Sequence, residues 1–143
     1  MDINTIFSKK AILEIVFLNR DDFYNISFLN NDYLIVGRDR DIDDNVIGIS
    51  KNGEVYYLTL DSSDVCYIAK DIDTFAAELL LFERFIKTKS PVLNDDQHES
   101  QLSVFADSFR NELLKLDKSV FRNDEEDTFW SEVCDEIEYG ILL

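Results

Sequence analysis

The chain has 143 residues, thirty acids against fourteen bases, a net charge of −16, and 45% hydrophobic residues that include eleven Phe and six Tyr. That length reads as one domain over residues 1–143, and the apolar content excludes disorder despite the charge. The charge excludes a nucleic-acid backbone or an anionic membrane as partner, since both need clustered Lys and Arg; cations and basic proteins are favoured instead.

Met1-Asp2-Ile3-Asn4 lacks the basic and long apolar regions of a signal peptide, and apolar runs such as Leu79 to Phe82 are far too short for a bilayer. A cytoplasmic protein is expected. Ser8 is placed to cap a helix over about Lys9 to Leu18, although Ile12, Ile15 and Val16 also suit a strand. Asn19-Arg20-Asp21-Asp22 breaks that segment. Short runs follow at Tyr24–Phe28, Tyr33–Val36, Val46–Ile49, Val55–Leu60 and Val65–Ala69, each rich in Ile, Val, Tyr or Phe and bounded by turn formers. These predict about five strands. Ser50-Lys51-Asn52-Gly53 joins two of them, and its Asn-Gly pair predicts a type I′ hairpin turn. Alternation places Leu58 and Leu60 on the face of Tyr56, opposite Val55 and Tyr57.

The second half has helical periodicity. Phe75, Leu79, Phe82 and Ile86 recur at helical spacing, widened by Ala76, Leu80 and Phe85, with Glu78, Glu83 and Arg84 as the polar positions. A cap is expected among Asp71, Asp73 and Thr74. Lys89-Ser90-Pro91 ends this helix, and Asn94 to His98 reads as a mobile loop. Asp96…Glu99 forms a capping box for a helix whose apolar face is Leu102, Phe105, Ala106, Phe109 and Leu113. Asn123…Glu126 repeats that signature before a last helix in which Phe129, Trp130, Val133, Cys134 and Ile137 face inward and Gly140 stands at C′. The isolated Cys66 and Cys134 read as buried thiols of a reducing compartment. The sum is an α+β fold, with an antiparallel-rich sheet of about five strands in the N-terminal half packed against C-terminal helices.

Two acidic sets are candidate partner-binding residues. Asp39, Asp41, Asp43 and Asp44 crowd one loop. It begins like an EF-hand loop, but has Asp44 in place of the sixth-position Gly and Ser50 in place of the twelfth-position Glu. The open readings are a solvated turn, a surface for a basic partner, or a Ca²⁺ site, and no cofactor or metal is expected. In the last helix the candidates are Glu132, Asp135 and Glu136, with Glu138 a further acid near its end. Glu132 and Glu136 stand at i and i+4, which costs a few tenths of a kcal/mol unless a basic partner or another helix compensates. Of Tyr56 and Tyr57 one must face away from the core, and Tyr57 is taken as the partner-binding candidate. Trp130 suits a core position or an interface anchor. His98 is the lone histidine, in the expected loop, and no phosphate loop, nucleophile elbow or zinc motif accompanies it. Catalysis is not expected.

Val36-Gly37-Arg38-Asp39, followed by Ile47-Gly48-Ile49-Ser50-Lys51-Asn52-Gly53-Glu54-Val55-Tyr56-Tyr57, resembles the SUKH (Smi/Knr-like) superfamily: a strand ending in Gly, an acidic turn, then a hairpin. Ile68 to Phe75 is similar to its strand-to-helix step, and the C-terminal Leu-x-x-Asp…Phe-Trp…Glu-x-x-x-Gly element to its fourth immunity-protein group. The likeness runs over about Tyr33 to Leu143. Phe17 to Tyr24 stands where many members have Leu-Pro-x-x-Tyr. The resemblance implies a non-catalytic protein that binds and neutralises a secreted polymorphic toxin, often a nuclease or nucleic-acid deaminase. The alternative it offers is a regulatory scaffold, as in cell-wall regulation. With the composition it implies a cognate basic toxin as partner, met by an acidic surface.

Overall fold

The computed structural model describes residues 13–89, 98–122 and 128–140. Its elements are β1 (Ile15–Phe17), a 3₁₀ turn (Arg20–Asp22), β2 (Tyr24–Phe28), β3 (Asn31–Asp39), β4 (Asn45–Ser50), β5 (Val55–Thr59), β6 (Asp64–Ala69), α1 (Ile72–Lys89), α2 (His98–Leu116) and α3 (Phe129–Glu138). The fold is α+β, a six-stranded antiparallel sheet followed by three helices. Two compact units divide the chain, residues 1–76 and 77–143.

In the first unit the strand order is β1-β3-β4-β5-β6, with β2 also on β3. β1 pairs with Gly37–Asp39 and β2 with Asn31–Ile35, so the two share one side of β3 end to end. The helix expected to reach Leu18 is therefore a strand over Ile15–Phe17, and its Ser8 cap lies outside the described residues. Leu13 and Glu14 have φ of 55° and 65°, which a right-handed helix cannot include, and Ile15 and Phe17 alternate with half-exposed Val16. All five predicted apolar runs form strands, with ends moved by three residues at most.

The hairpin turns exchange types. At Ser50–Glu54 only Gly53 has positive φ, the Gly53 amide donates to the Ser50 carbonyl at 2.9 Å and the Ser50 amide to the Glu54 carbonyl at 2.9 Å. That is a three-residue loop closed by a left-handed glycine, and the expected type I′ turn is not there. The type I′ conformation occurs instead between β2 and β3, where Leu29 and Asn30 have φ of 51° and 67°. Leucine is poorly suited to that region, since its Cβ crowds the following carbonyl. Replacing Leu29-Asn30 by Asn-Gly is expected to raise unfolding stability by about 1 kcal/mol. Urea denaturation checks this, an unchanged midpoint being the contrary result.

Both sheet faces are apolar. On one, Tyr33, Ile35, Val46 and Leu58 are buried, with Leu18, Ile26, Phe28, Tyr56 and Leu60 around them. Tyr56 meets Tyr33 and Tyr67 edge-on at 5.9 and 5.8 Å, so Tyr56, Leu58 and Leu60 share a face as the alternation required. On the other, Ile47 and Val55 are fully buried and Phe75, from the first turn of α1, meets Phe17 at 6.0 Å. Asp71 caps α1, its Oδ1 accepting the Thr74 amide at 2.7 Å. The same hydrogen bonds from Thr74 hold the Asp71 carboxyl below its ordinary pKa.

In the second unit the helices bury the predicted apolar faces: Leu79 and Phe82 of α1, Leu102, Phe105, Ala106, Phe109 and Leu113 of α2, and Trp130, Val133, Cys134 and Ile137 of α3. Trp130 touches Phe109, Phe82 and Phe129 with ring centroids at 5.8, 6.3 and 5.1 Å. Glu78, read as a polar position, is fully buried. Thr128 caps α3 in a reciprocal box with Ser131, at 3.3 and 2.9 Å, in place of the expected Asn123…Glu126 pair, which lies outside the described residues. Gly140 has φ of 76°, the left-handed C′ position its placement predicted. His98 opens α2, and the rest of the loop expected over Asn94 to His98 lies outside the described residues. The expected Asp96 cap of that helix lies outside the described residues.

Candidate functional site

The β3–β4 connection is folded around Asp39. Its Oδ1 accepts the Asp41 amide at 2.8 Å and the Ile42 amide at 3.0 Å, so the side chain ties the turn that its own strand enters. The far end is fixed through the backbone, where the Leu60 amide donates to the Asp44 carbonyl at 2.9 Å and the Asn45 amide to the Ile42 carbonyl at 3.1 Å. Asp41, Asp43 and Asp44 are consequently held on the surface with their carboxylates exposed. Arg38 pairs with Asp43, and Arg40 with Glu14 and Asp41. These are exposed pairs that shape the loop more than they stabilise it.

Tyr57 joins this loop. It stands on β5 opposite Ile47, and its hydroxyl donates to Asp39 Oδ2 at 3.4 Å. Burial pushes its phenol above the ordinary value; Asn45 pulls it back, and the neighbouring Asp39 charge adds to the rise. The hydroxyl therefore remains a donor across the neutral range. Tyr56 turns to the core, which leaves Tyr57 as the tyrosine of the pair beside the acids. The sequence offered Tyr57 and Asp39 as separate partner contacts; the antiparallel pairing brings them together.

On α3 the acids are sorted by Arg110 of α2. The guanidinium donates to Asp135 at 3.1 Å and to Asp107 at 2.9 Å, and lies 3.8 Å from Glu138. Ser103 also donates to Glu138, at 3.3 Å. Asp135, expected as a partner-binding residue, is thus already paired within the unit, and Glu138 has its counter-charge from a neighbouring helix. The nearest sequence signal for Arg110 was its place between Phe109 and Leu113, on the flank of the buried stripe. Glu132 is exposed and Glu136 half-exposed one turn later. Among the described residues no cation pairs with Glu136.

Neither cysteine forms a disulfide. Cys66 is half-buried, less hidden than expected, and Cys134 is buried, its thiol pushed up to about 12 by burial. Such a thiol is inert as a nucleophile. Among the described residues no cluster of three or more His, Cys, Asp or Glu is arranged to hold a metal, and no helix is long and apolar enough to cross a membrane.

The model of a family described as SUKH-4 immunity protein matches residues 5–136. No curated protein and no solved structure matches the chain.

Proposed function

The chain belongs to the SUKH-4 immunity protein family, a non-catalytic family whose members neutralise a cognate toxin, and from that premise we propose that it works by covering a basic toxin with acidic surface. The toxin we infer is a nuclease or nucleic-acid deaminase, because enzymes of that kind carry positive charge to meet phosphate. The observation that carries this reading is the net charge of −16, together with the exposed carboxylates of the β3–β4 loop and of α3. The loop contributes Asp41, Asp43 and Asp44, and Tyr57 beside Asp39 supplies an aromatic donor at its edge. The helix contributes Glu132 and Glu136. Each segment is a separate candidate contact. Compartment follows from the same reading: protection of the producing cell requires the protein where the toxin acts, which for nucleic-acid toxins is the cytoplasm.

Association with such a toxin is steered by charge, so its rate falls as salt rises. Affinity capture from the native cell, eluted by a salt gradient, is expected to return one stoichiometric basic protein carrying a toxin domain. Several partners of ordinary charge would support the scaffold reading instead. Glu132→Lys with Glu136→Lys is expected to slow association with that toxin about tenfold while leaving the circular dichroism unchanged. An unchanged association rate removes α3 from the surface.

A further inference from the structure

We propose that the outer edge of β2 pairs antiparallel with β2 of a second copy of this chain. The two-residue hairpin at Leu29-Asn30 makes Phe28↔Asn31 the closing hydrogen-bonded pair, so bonded pairs recur at Ile26↔Tyr33 and Tyr24↔Ile35. The intervening residues, Asn25 and Ser27, therefore aim their amides and carbonyls away from β3. Among the described residues β2 has no strand on that side, and both residues are exposed. The edge is five residues long and carries none of the usual protections: it has no Lys, no Pro and no bulge, and no charge from Phe23 to Asn31.

The pattern is complementary to itself. With Ile26 on a two-fold axis, Asn25 of one copy faces Ser27 of the other, and both aim their bonding groups outward. The same register sets Tyr24, 46% exposed, opposite Phe28, and Ile26 opposite its own copy, on one face. No like charges are opposed within the strand. β2 itself offers a basic partner no charge, and the Asp32 carboxylate beside it is already held by the Ser27 hydroxyl and Lys51, so the edge suits an uncharged strand, and its own copy supplies one in register. Because each chain carries −16, salt strengthens this association, whereas it weakens binding to a basic toxin. The inference is thus separable from the proposed function.

Sedimentation equilibrium of the full chain at low and high salt, with amide exchange at two protein concentrations, tests it. The expected result is a dimer mass that grows with salt, and exchange at Asn25 and Ser27 that slows as concentration rises. Ser27→Pro removes an outward amide that the sheet itself does not use, and is expected to weaken dimerisation at least tenfold with the fold retained. A native-like Ser27→Pro protein that dimerises as well as the parent overturns the proposal. So does a wild-type chain that remains monomeric at all salts with freely exchanging Asn25 and Ser27, which would leave the edge to a strand of another protein. Should the proline variant fail to fold, the exchange of the wild-type amides decides.

Discussion

Trp130→Ala is expected to lose about 3–5 kcal/mol of unfolding free energy, the largest effect of any single substitution argued for this protein. Trp130 is fully buried and stands at the meeting of all three helices, against Phe82 of α1, Phe109 of α2 and its own neighbour Phe129. Truncation removes the transfer free energy of an indole and leaves a cavity that three aromatic rings cannot close without leaving their rotamers. Trp130→Phe is expected to cost much less. It keeps a ring in the cluster and deletes an indole N–H that has no hydrogen-bond partner among the described residues, a group that itself penalises the folded state. Circular dichroism in urea follows both variants. Equal losses for the two would mean that the site is set by indole shape and not by buried apolar area. A small loss for Trp130→Ala would return the residue to the interface role that its sequence also allowed.

Gly48→Val is expected to destabilise the first unit by about 1–3 kcal/mol, against the ordinary strand preference for valine. Gly48 lies on β4 between Ile35 and Tyr56, in the middle of the buried face. A Cβ there would stand 3.1 Å from Leu58 Cδ1, 3.1 Å from Tyr33 Cβ and 3.3 Å from Ile35 Cδ1. The leucine and isoleucine ends can give way, but the Tyr33 Cβ is rooted in β3 and cannot. Gly48→Ala, which adds the Cβ alone, is expected to fall between the parent and the valine variant. A valine variant as stable as the parent would show that this face repacks freely, and would weaken the description of it as a close-packed core.

The strands and helices were legible because their buried faces leave a period in the sequence. Phe75, Leu79 and Phe82, or Tyr56, Leu58 and Leu60, can be assigned to one face by counting. Boundaries that depend on a single backbone conformation were not legible. Leu29-Asn30 carries no strong signal for a left-handed turn, yet the pairing of β2 with β3 imposes one. Asn52-Gly53 carries the strongest such signal, and Ser50 and Glu54 close around it as a three-residue loop instead. The short β1 hid for a related reason: Ile15, Val16 and Phe17 are too few to distinguish a period of two from one of 3.6. The burial of Glu78 was not legible, because a carboxylate on an apolar stripe is ordinarily its solvated edge and burial is a property of what surrounds it.

The candidate site divides along the same line. Composition determined that the protein is acidic and folded, and the order of the strand, hairpin and helix motifs was enough to indicate its family. Spacing along the chain determined which carboxylates are crowded. Which of those remain available was decided only by the tertiary structure. Arg110 is twenty-five residues from Asp135 in sequence and 3.1 Å from it in space, so an acid expected to meet a partner is already paired. Tyr57 and Asp39 meet because β5 and β3 flank the same strand. Charge is a sum over residues and can be read from the sequence; electrostatic compensation depends on distance between side chains remote in sequence, and that distance exists only once the chain has folded.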